Sequence, residues 1–271
     1  MQAFPLMKRA AMQRLSLLPA ILLSLALSAP AAHAVDPATS WLASWTASPQ
    51  AVWSRDFLFP SNVPAVLHGH TVRQVARLSV GGPRVRIVLS NAYGKAPLRI
   101  GAATVALAAS GSAIEAGSLR TLTFSGQPAA SVAPGAPLVS DPVELSVPDL
   151  ARLTVSIHLP QASPVSTFHW DGRETAWIAP QDQTRAARID EAQTGVQTTT
   201  ARLLLSAIEV EAAPGAQAVA ILGDSITDGA SASLGMDARW PDFLAERLAP
   251  QGVAVLNAGI SGGRLLSDGM G

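Results

Sequence analysis

The chain has 271 residues, of which 48% are hydrophobic, 14% charged and 5% aromatic, and it has no cysteine. So few charges among so many apolar residues exclude an intrinsically disordered protein, and the length suits one large domain or two ordinary ones. The lack of cysteine excludes disulfides, thiolate metal sites and thiol nucleophiles. The 19 basic and 19 acidic residues leave no basic excess for nucleic-acid binding.

Residues 1–34 have the pattern of a secretory signal peptide. Basic residues precede the apolar stretch Leu15–Leu27, and Ala32-His33-Ala34 supplies a cleavage site after Ala34. The alternative is an uncleaved membrane anchor, but the stretch is shorter than the roughly 20 residues that a span needs. No cysteine follows to carry a lipid. We therefore expect a secreted or periplasmic protein with no stable membrane anchor.

Residues 35–212 have the sequence pattern of a β-rich domain. Apolar and polar residues alternate over Leu153–Leu159, which predicts a half-buried strand. Val72–Val80 and Arg84–Ser90 alternate similarly around Gly81-Gly82-Pro83, so we expect a hairpin there. Its arginines would lie on or near the solvent-facing side, and they are Arg73, Arg77, Arg84 and Arg86. Strands at this spacing favour a β-sandwich or jelly-roll-like domain.

Residues 213–271 change to an α/β pattern. The wholly apolar run Ala218–Leu222 predicts a strand covered on both faces, and Val253–Leu256 predicts another. Between them, Asp237–Leu248 reads as a helix with Trp240 on its apolar face. A strand, a helix and a strand in this order predict parallel strands. Two strands cannot complete such a sheet, so we expect an incomplete domain.

Two glycine-rich loops follow these two strands. Ser225 lies in the string GDSITDG directly after the first strand, and the second loop is Asn257–Arg264. Loops that follow adjacent parallel strands meet at one edge of the sheet, where sites in open α/β folds form. Backbone N–H groups there can stabilise an oxyanion. The alternative is an ordinary strand-to-helix loop with a serine near the helix start.

These two segments resemble the first two sequence blocks of the SGNH (GDSL) hydrolase superfamily. WLASWTASPQ (Trp41–Gln50) and the early GDS block are similar to those of a secreted bacterial subgroup that has a β-rich domain ahead of the hydrolase domain. The resemblance implies a flavodoxin-like hydrolase domain, with Ser225 as nucleophile and first oxyanion donor and Gly262 as second donor. It also implies that Asp224 orders the turn. The substrate would be a small-molecule or polysaccharide-linked carboxylic ester, with no metal or organic cofactor.

The chain departs from the family pattern beyond these blocks. The family's third block (G-x-N-D) and its last block (D-x-x-H) are missing, and no histidine follows His169. A serine hydroxyl without a base is a poor nucleophile. We therefore expect a fragment that ends after block two and is inactive by itself.

The remaining histidines and tryptophans leave two alternatives open. His68 and His70 have the spacing of a metal pair, but two histidines do not make a site. In His169-Trp170-Asp171 the carboxylate could orient the imidazole, although a loop histidine beside a core tryptophan is the simpler interpretation. Tryptophans outside the core could stack on sugar rings. The rival hypotheses are therefore a non-enzymatic carbohydrate-binding module with an inert hydrolase remnant, and a fragment that does not fold stably.

Overall fold

Short strands joined by turns make up most of the computed structural model, which describes residues 40–54 and 57–267. The predicted signal peptide lies outside these residues, so it stays a prediction. The first ten strands are β1 (Ser40–Thr46), β2 (Gln50–Ala51), β3 (Val66–Leu67), β4 (His70–Arg77), β5 (Gly82–Ser90), β6 (Leu98–Ile100), β7 (Ala102–Leu107), β8 (Arg120–Thr121), β9 (Ala130–Val132) and β10 (Pro137–Val139). The next eight are β11 (Val143–Val147), β12 (Arg152–Leu159), β13 (Ser163–Pro164), β14 (Thr167–His169), β15 (Ala176–Pro180), β16 (Gln197–Thr199), β17 (Arg202–Leu203) and β18 (Leu205–Ala212).

The rest of the described chain contains the α-helices and a parallel pair of strands. In order, they are β19 (Gln217–Gly223), α1 (Ser225–Asp228), α2 (Trp240–Leu248), a 3₁₀ turn (Ala249–Gln251) and β20 (Val253–Gly259). Among the described residues, no helix has the length and apolar content needed to cross a membrane.

Two antiparallel sheets share one hydrophobic core. The six-stranded sheet has the order β16-β15-β4-β12-β7-β8, and the five-stranded sheet has the order β1-β18-β5-β10, with β11 also paired to β5. Val72 and Ile157, from the first sheet, lie in the same core as Ile87 and Ile208, from the second, and all four are fully buried. Burial of these branched side chains between the sheets is the main source of stability for this part of the chain.

The predicted strand over Leu153–Leu159 is confirmed as β12, but both its faces are covered. Thr154 and Ser156 are buried, since the segment between β15 and β16 packs over the outer face of the six-stranded sheet. Arg73, expected near solvent, is fully buried there. Its guanidinium donates hydrogen bonds to Ser156 Oγ and to the carbonyl oxygens of Ser112, Gln183 and Ala186. Burial lowers the pKa of Arg73 to about 10.

The predicted hairpin between Val72–Val80 and Arg84–Ser90 is wrong. β4 belongs to the six-stranded sheet and β5 to the other, so the chain crosses from one sheet to the other at Gly81-Gly82. A Cβ atom on Gly81 would overlap the carbonyl oxygen of Val147, and one on Gly82 would overlap that of Glu211. The glycines are therefore needed for the close approach of backbones and not for a two-residue turn.

The expected fold class, a β-sandwich followed by the start of a flavodoxin-like domain, is also wrong. The structure is β-rich with several sheets, and the described residues contain no flavodoxin-like α/β pattern. β19 and β20 are parallel, but they form a two-stranded sheet of their own. Fully buried Ala254 of β20 lies in the main core, and all described residues fall in one compact unit. The predicted boundary between residues 212 and 213 stays a prediction.

The burial of β19 and α2 also differs from expectation. Val219 and Leu222 of β19 are 44% and 79% exposed, so this strand is not covered on both faces. Trp240, which was expected on the buried face of the helix, is 44% exposed, and Phe243 of the same helix is 48% exposed. Helix α2 instead buries Pro241, Asp242 and Ala245. An apolar run predicts which side chains favour burial, but not which of them find a covering element.

Candidate active site

The parallel pair β19 and β20 brings two loops together at one edge. The two strands run in register up to Gly223 opposite Gly259, and the next N–H group, that of Ile260, donates a 3.0 Å hydrogen bond to the carbonyl oxygen of Gly223. A Cβ atom on Gly259 would lie 2.5 Å from the backbone nitrogen of Asp228. Glycine at this position therefore lets the end of β20 lie against the helical turn α1.

Ser225 is the first residue of α1, and Asp224 is its N-cap. The Asp224 Oδ1 atom accepts a 3.0 Å hydrogen bond from the Ile226 N–H, and the Asp224 carbonyl oxygen accepts another from the Asp228 N–H at 2.9 Å. Two bonds from one residue hold the turn in which the serine lies. The N–H groups at the start of a helical turn have no acceptor within the helix. The N–H group of Ser225 is one of them, so it can donate a hydrogen bond to an oxyanion.

Gly262 lies in the loop after β20, beside the same turn. Its φ of 83° is in the left-handed region that glycine adopts without strain. The residue before it, Ser261, donates from both its N–H and its hydroxyl to Asp228 Oδ2, at 2.9 Å and 2.7 Å. A single buried carboxylate on α1 thus positions the loop that carries Gly262.

Ser225 and Gly262 line one cavity of about 390 Å³, together with Ala230 and Ser261. This volume is within the roughly 300–1,000 Å³ of typical small-molecule sites. The other lining residues are aromatic and come from the β-rich part of the chain. They are Trp53, Phe57, Phe59 and Trp170, which we call the aromatic wall. The structure therefore brings Ser225 and Gly262 to one cavity with four aromatic residues, while Asp224, the predicted supporting residue, does not line it.

The rings of the aromatic wall contact one another at inclined angles. The ring centroids of Trp53 and Phe57 are 4.1 Å apart, those of Trp53 and Trp170 are 5.0 Å apart, and those of Phe59 and Trp170 are 5.5 Å apart. The corresponding interplanar angles are 32°, 43° and 38°. Sequence reasoning assigned the tryptophans to core packing by default and gave Phe57 and Phe59 no role, because they lie between strands where no periodicity identifies them.

His169 does not pair with Asp171, the alternative that the sequence left open. Its Nε2 atom lies 2.9 Å from Asp228 Oδ1, and its Nδ1 atom lies 3.1 Å from the carbonyl oxygen of Ser48. Asp171 is instead paired with Arg173 at 3.0 Å. Because both ring nitrogens of His169 face oxygen acceptors, this imidazole is a structural link and not a base available to Ser225. Asp228 lies within GDSITDG, yet nothing in that string pointed to a histidine 59 residues earlier.

Charged side chains lie where the segment before α2 contacts the β-rich part. Burial lowers the pKa of Arg202 to about 10, and its guanidinium lies over the ring of Trp45 at 5.4 Å. Burial also raises the pKa of Asp237, although Arg152 at 3.0 Å acts in the opposite direction. None of these groups lines the cavity that contains Ser225. The ion pair between Arg152 and Asp237 links the segment before α2 to the β-rich part.

Within residues 40–54 and 57–267, no group of three or more His, Asp or Glu side chains is placed to hold a metal ion. The Nδ1 atom of His70 accepts a hydrogen bond from the His68 N–H at 3.2 Å, so this pair is engaged locally. Neither histidine lines the cavity.

Comparison with known proteins gives little further information. No protein-family model matches the chain, and no curated protein does. A solved structure of a family two carbohydrate esterase from Cellvibrio japonicus aligns with 14% identity and a TM-score of 0.14, over 83% of this chain and 53% of that one. The chain thus spans about half the length of that esterase. A likeness this low carries no argument about fold or chemistry.

Proposed function

We propose that this cavity is the acyl-transfer site of an exported carboxylic ester hydrolase of SGNH (GDSL) type. The observation that carries the proposal is that Ser225 and Gly262, which follow two adjacent parallel strands, line the same cavity. A nucleophile and an N–H donor beside one carbonyl carbon is the arrangement that acyl transfer needs.

The reaction would proceed through an acyl-serine. Ser225 Oγ attacks the ester carbonyl carbon, and the N–H groups of Ser225 and Gly262 stabilise the negative oxygen of the tetrahedral intermediate. The C–O bond to the alcohol breaks, and the alcohol leaves with the proton that the serine lost. Water then cleaves the acyl–Oγ bond and releases the acid. Asp224 and Asp228 are positioning residues, because they hold the turn and the loop through hydrogen bonds.

The described lining of this cavity includes no histidine that could accept the proton of the Ser225 hydroxyl. His169 has both ring nitrogens engaged. Removal of one triad member leaves catalysis of roughly 10³-fold to 10⁴-fold over water from the remaining groups. We therefore expect slow turnover by this chain, with an acyl-serine that accumulates because its hydrolysis also needs a base.

The test uses the activated ester p-nitrophenyl acetate. Mass spectrometry of the incubated chain should locate an acetyl adduct on Ser225, and added imidazole should accelerate p-nitrophenol release beyond the rate at which imidazole cleaves the ester without protein. Ser225→Ala should abolish both effects. Ser233→Ala, at an exposed serine outside the cavity, is the matched control and should retain them. An adduct on another residue, or release that Ser225→Ala leaves unchanged, would overturn the proposal.

A further inference from the structure

The aromatic wall lines the same cavity as Ser225. Its four residues come from residues 53–59 and from position 170, whereas Ser225 and Gly262 belong to the segment that starts at β19. The β-rich part therefore supplies a surface of the cavity that the loops after the parallel strands do not supply themselves. A substrate whose carbonyl carbon lies at Ser225 would extend along this surface.

The polar atoms of this cavity are mostly engaged within the protein. The Ser261 hydroxyl donates to Asp228, and the indole N–H of Trp170 donates to the carbonyl oxygen of Pro60 at 3.3 Å. The indole nitrogen of Trp53 has no hydrogen-bond partner among the described residues, but it is buried and therefore not accessible to a ligand in this conformation. Ring carbons therefore form the wall. Sugar hydroxyls placed there would lose their hydrogen bonds to water without replacement, whereas an apolar chain would gain from burial.

The angles between the rings also favour an aliphatic chain over a sugar ring. Neighbouring rings of the wall are inclined by 32° to 55°, so they do not form the flat platform on which a pyranose ring stacks. A flexible aliphatic chain can follow such a surface. The volume of about 390 Å³ is enough for a chain of medium length.

We propose that the aromatic wall is the acyl-binding subsite, and that it selects esters of medium-length aliphatic acids. The inference rests on the proposed function, since an aliphatic chain bound at the wall is the acyl group of a substrate only if Ser225 is the nucleophile. The carbonyl carbon would lie between Ser225 and Gly262, and the tail would lie against Phe59 and Trp170. The alcohol would then lie outside the wall, so acyl length, and not the alcohol, would dominate selectivity.

The test measures binding without turnover. Octanoate, the product that such an ester would yield, is titrated by calorimetry into the full chain carrying Ser225→Ala, which removes the nucleophile and leaves the wall intact. Addition of Phe59→Ala should weaken octanoate binding about tenfold or more, because it deletes a large apolar contact. Phe59→Leu should retain most of the affinity, since it keeps an apolar side chain.

The matched control is Phe243→Ala. Phe243 and Phe59 have similar exposure, at 48% and 41%, but Phe243 lies on α2 and does not line the cavity. This variant should bind octanoate like the parent, and both exposed positions tolerate truncation without loss of the core.

Two outcomes would overturn the inference. One is the absence of octanoate binding, or binding that Phe59→Ala does not weaken. The other is Phe59-dependent binding of a neutral oligosaccharide such as xylohexaose in place of octanoate, which would assign the wall to carbohydrate. Failure of the esterase proposal is a separate result. In that case acetyl adducts would not form on Ser225, while Phe59-dependent octanoate binding would persist.

Discussion

The imidazole of His169 and the carboxylate of Asp228 form a buried pair, with 2.9 Å between Nε2 and Oδ1. This pair connects β14 of the β-rich part to the turn that begins at Ser225. The other carboxylate oxygen of Asp228 accepts both hydrogen bonds from Ser261. One side chain thus couples the β-rich part, the nucleophile turn and the loop with Gly262.

Asp228→Asn should destabilise the chain strongly. The Asp228 carboxylate accepts two hydrogen bonds from Ser261 and lies 2.9 Å from His169 Nε2, and leaving a buried donor without its acceptor costs about 1–3 kcal/mol. The amide would also present a donor to the Ser261 N–H group, so the Gly262 loop should loosen and acylation of Ser225 should slow. Urea unfolding and the adduct assay measure the two effects.

Asp171→Asn provides the matched control for this experiment. Asp171 pairs with Arg173 at 3.0 Å, but both side chains are more exposed than those of His169 and Asp228. The expected cost is below about 1 kcal/mol. Equal stability of the two variants would show that the His169–Asp228 pair does not hold the segments together.

Glu211→Gln should change how stability depends on acidity. The hydrogen bond from Arg84, with Nη2 and Oε1 2.7 Å apart, lowers the pKa of Glu211 below the 4.5 of an ordinary glutamate and raises that of Arg84. Since the folded pKa is the lower one, the pair stabilises the fold above pH 4.5 and loses this contribution as the pH falls through the folded pKa.

Urea midpoints measured between neutral pH and pH 3 should therefore fall less steeply for Glu211→Gln than for the parent below pH 4.5. The control is Glu115→Gln, at an exposed glutamate outside this pair, which should follow the parent curve. Parallel curves for the parent and Glu211→Gln would contradict the assignment.

Gly259→Ala should disturb the site through the backbone. Its Cβ atom would lie 2.5 Å from the nitrogen and 2.9 Å from the Cα atom of Asp228, so β20 and α1 would have to separate. Overpacking of this kind costs about 1–3 kcal/mol, and acylation of Ser225 should fall with it. Gly215→Ala, at a φ of 85° in open space, introduces strain away from the site and should leave acylation unchanged. Loss of acylation in both variants, or in neither, would argue against this packing.

Cleavage after Ala34 is a prediction for the exported protein. Expression in a secreting bacterium should yield a chain that begins at Val35, because small residues at the last and third-last positions of the leader are what signal peptidase accepts. Mass spectrometry of the N-terminus tests this prediction. Ala34→Leu should retain the leader, and export of a parent chain that still carries residues 1–34 would refute it.

Local pattern in the sequence was sufficient for several elements. Alternation over Leu153–Leu159 predicted β12, and the apolar runs before the two glycine-rich loops predicted β19 and β20. These signals are local, because side-chain period and turn residues depend on neighbours along the chain. The same local order placed Ser225 and Gly262 directly after adjacent strands, where the structure has them line one cavity.

Contacts between distant residues were decided only in the tertiary structure. The sequence at Gly81-Gly82 predicted a hairpin, but the chain crosses between sheets there. A glycine pair is compatible both with a tight turn and with the close approach of two backbones, so the sequence does not distinguish them. Burial of Arg73 depends on carbonyl groups more than a hundred residues away, such as that of Gln183. An isolated stretch of sequence carries no information about which element will cover it.

The candidate site divides along the same line. The sequence alone predicted the glycine-rich loops and the strands that carry them, since backbone geometry at a strand end is encoded within a few residues, and the family resemblance pointed to Ser225 as the candidate nucleophile. Only the tertiary structure decided that Phe59 and Trp170 line the same cavity as Ser225 and that His169 pairs with Asp228. The physical reason is that these contacts join residues far apart in the sequence. Which of them meet depends on how whole sheets pack in the common core, and no local sequence pattern encodes that packing.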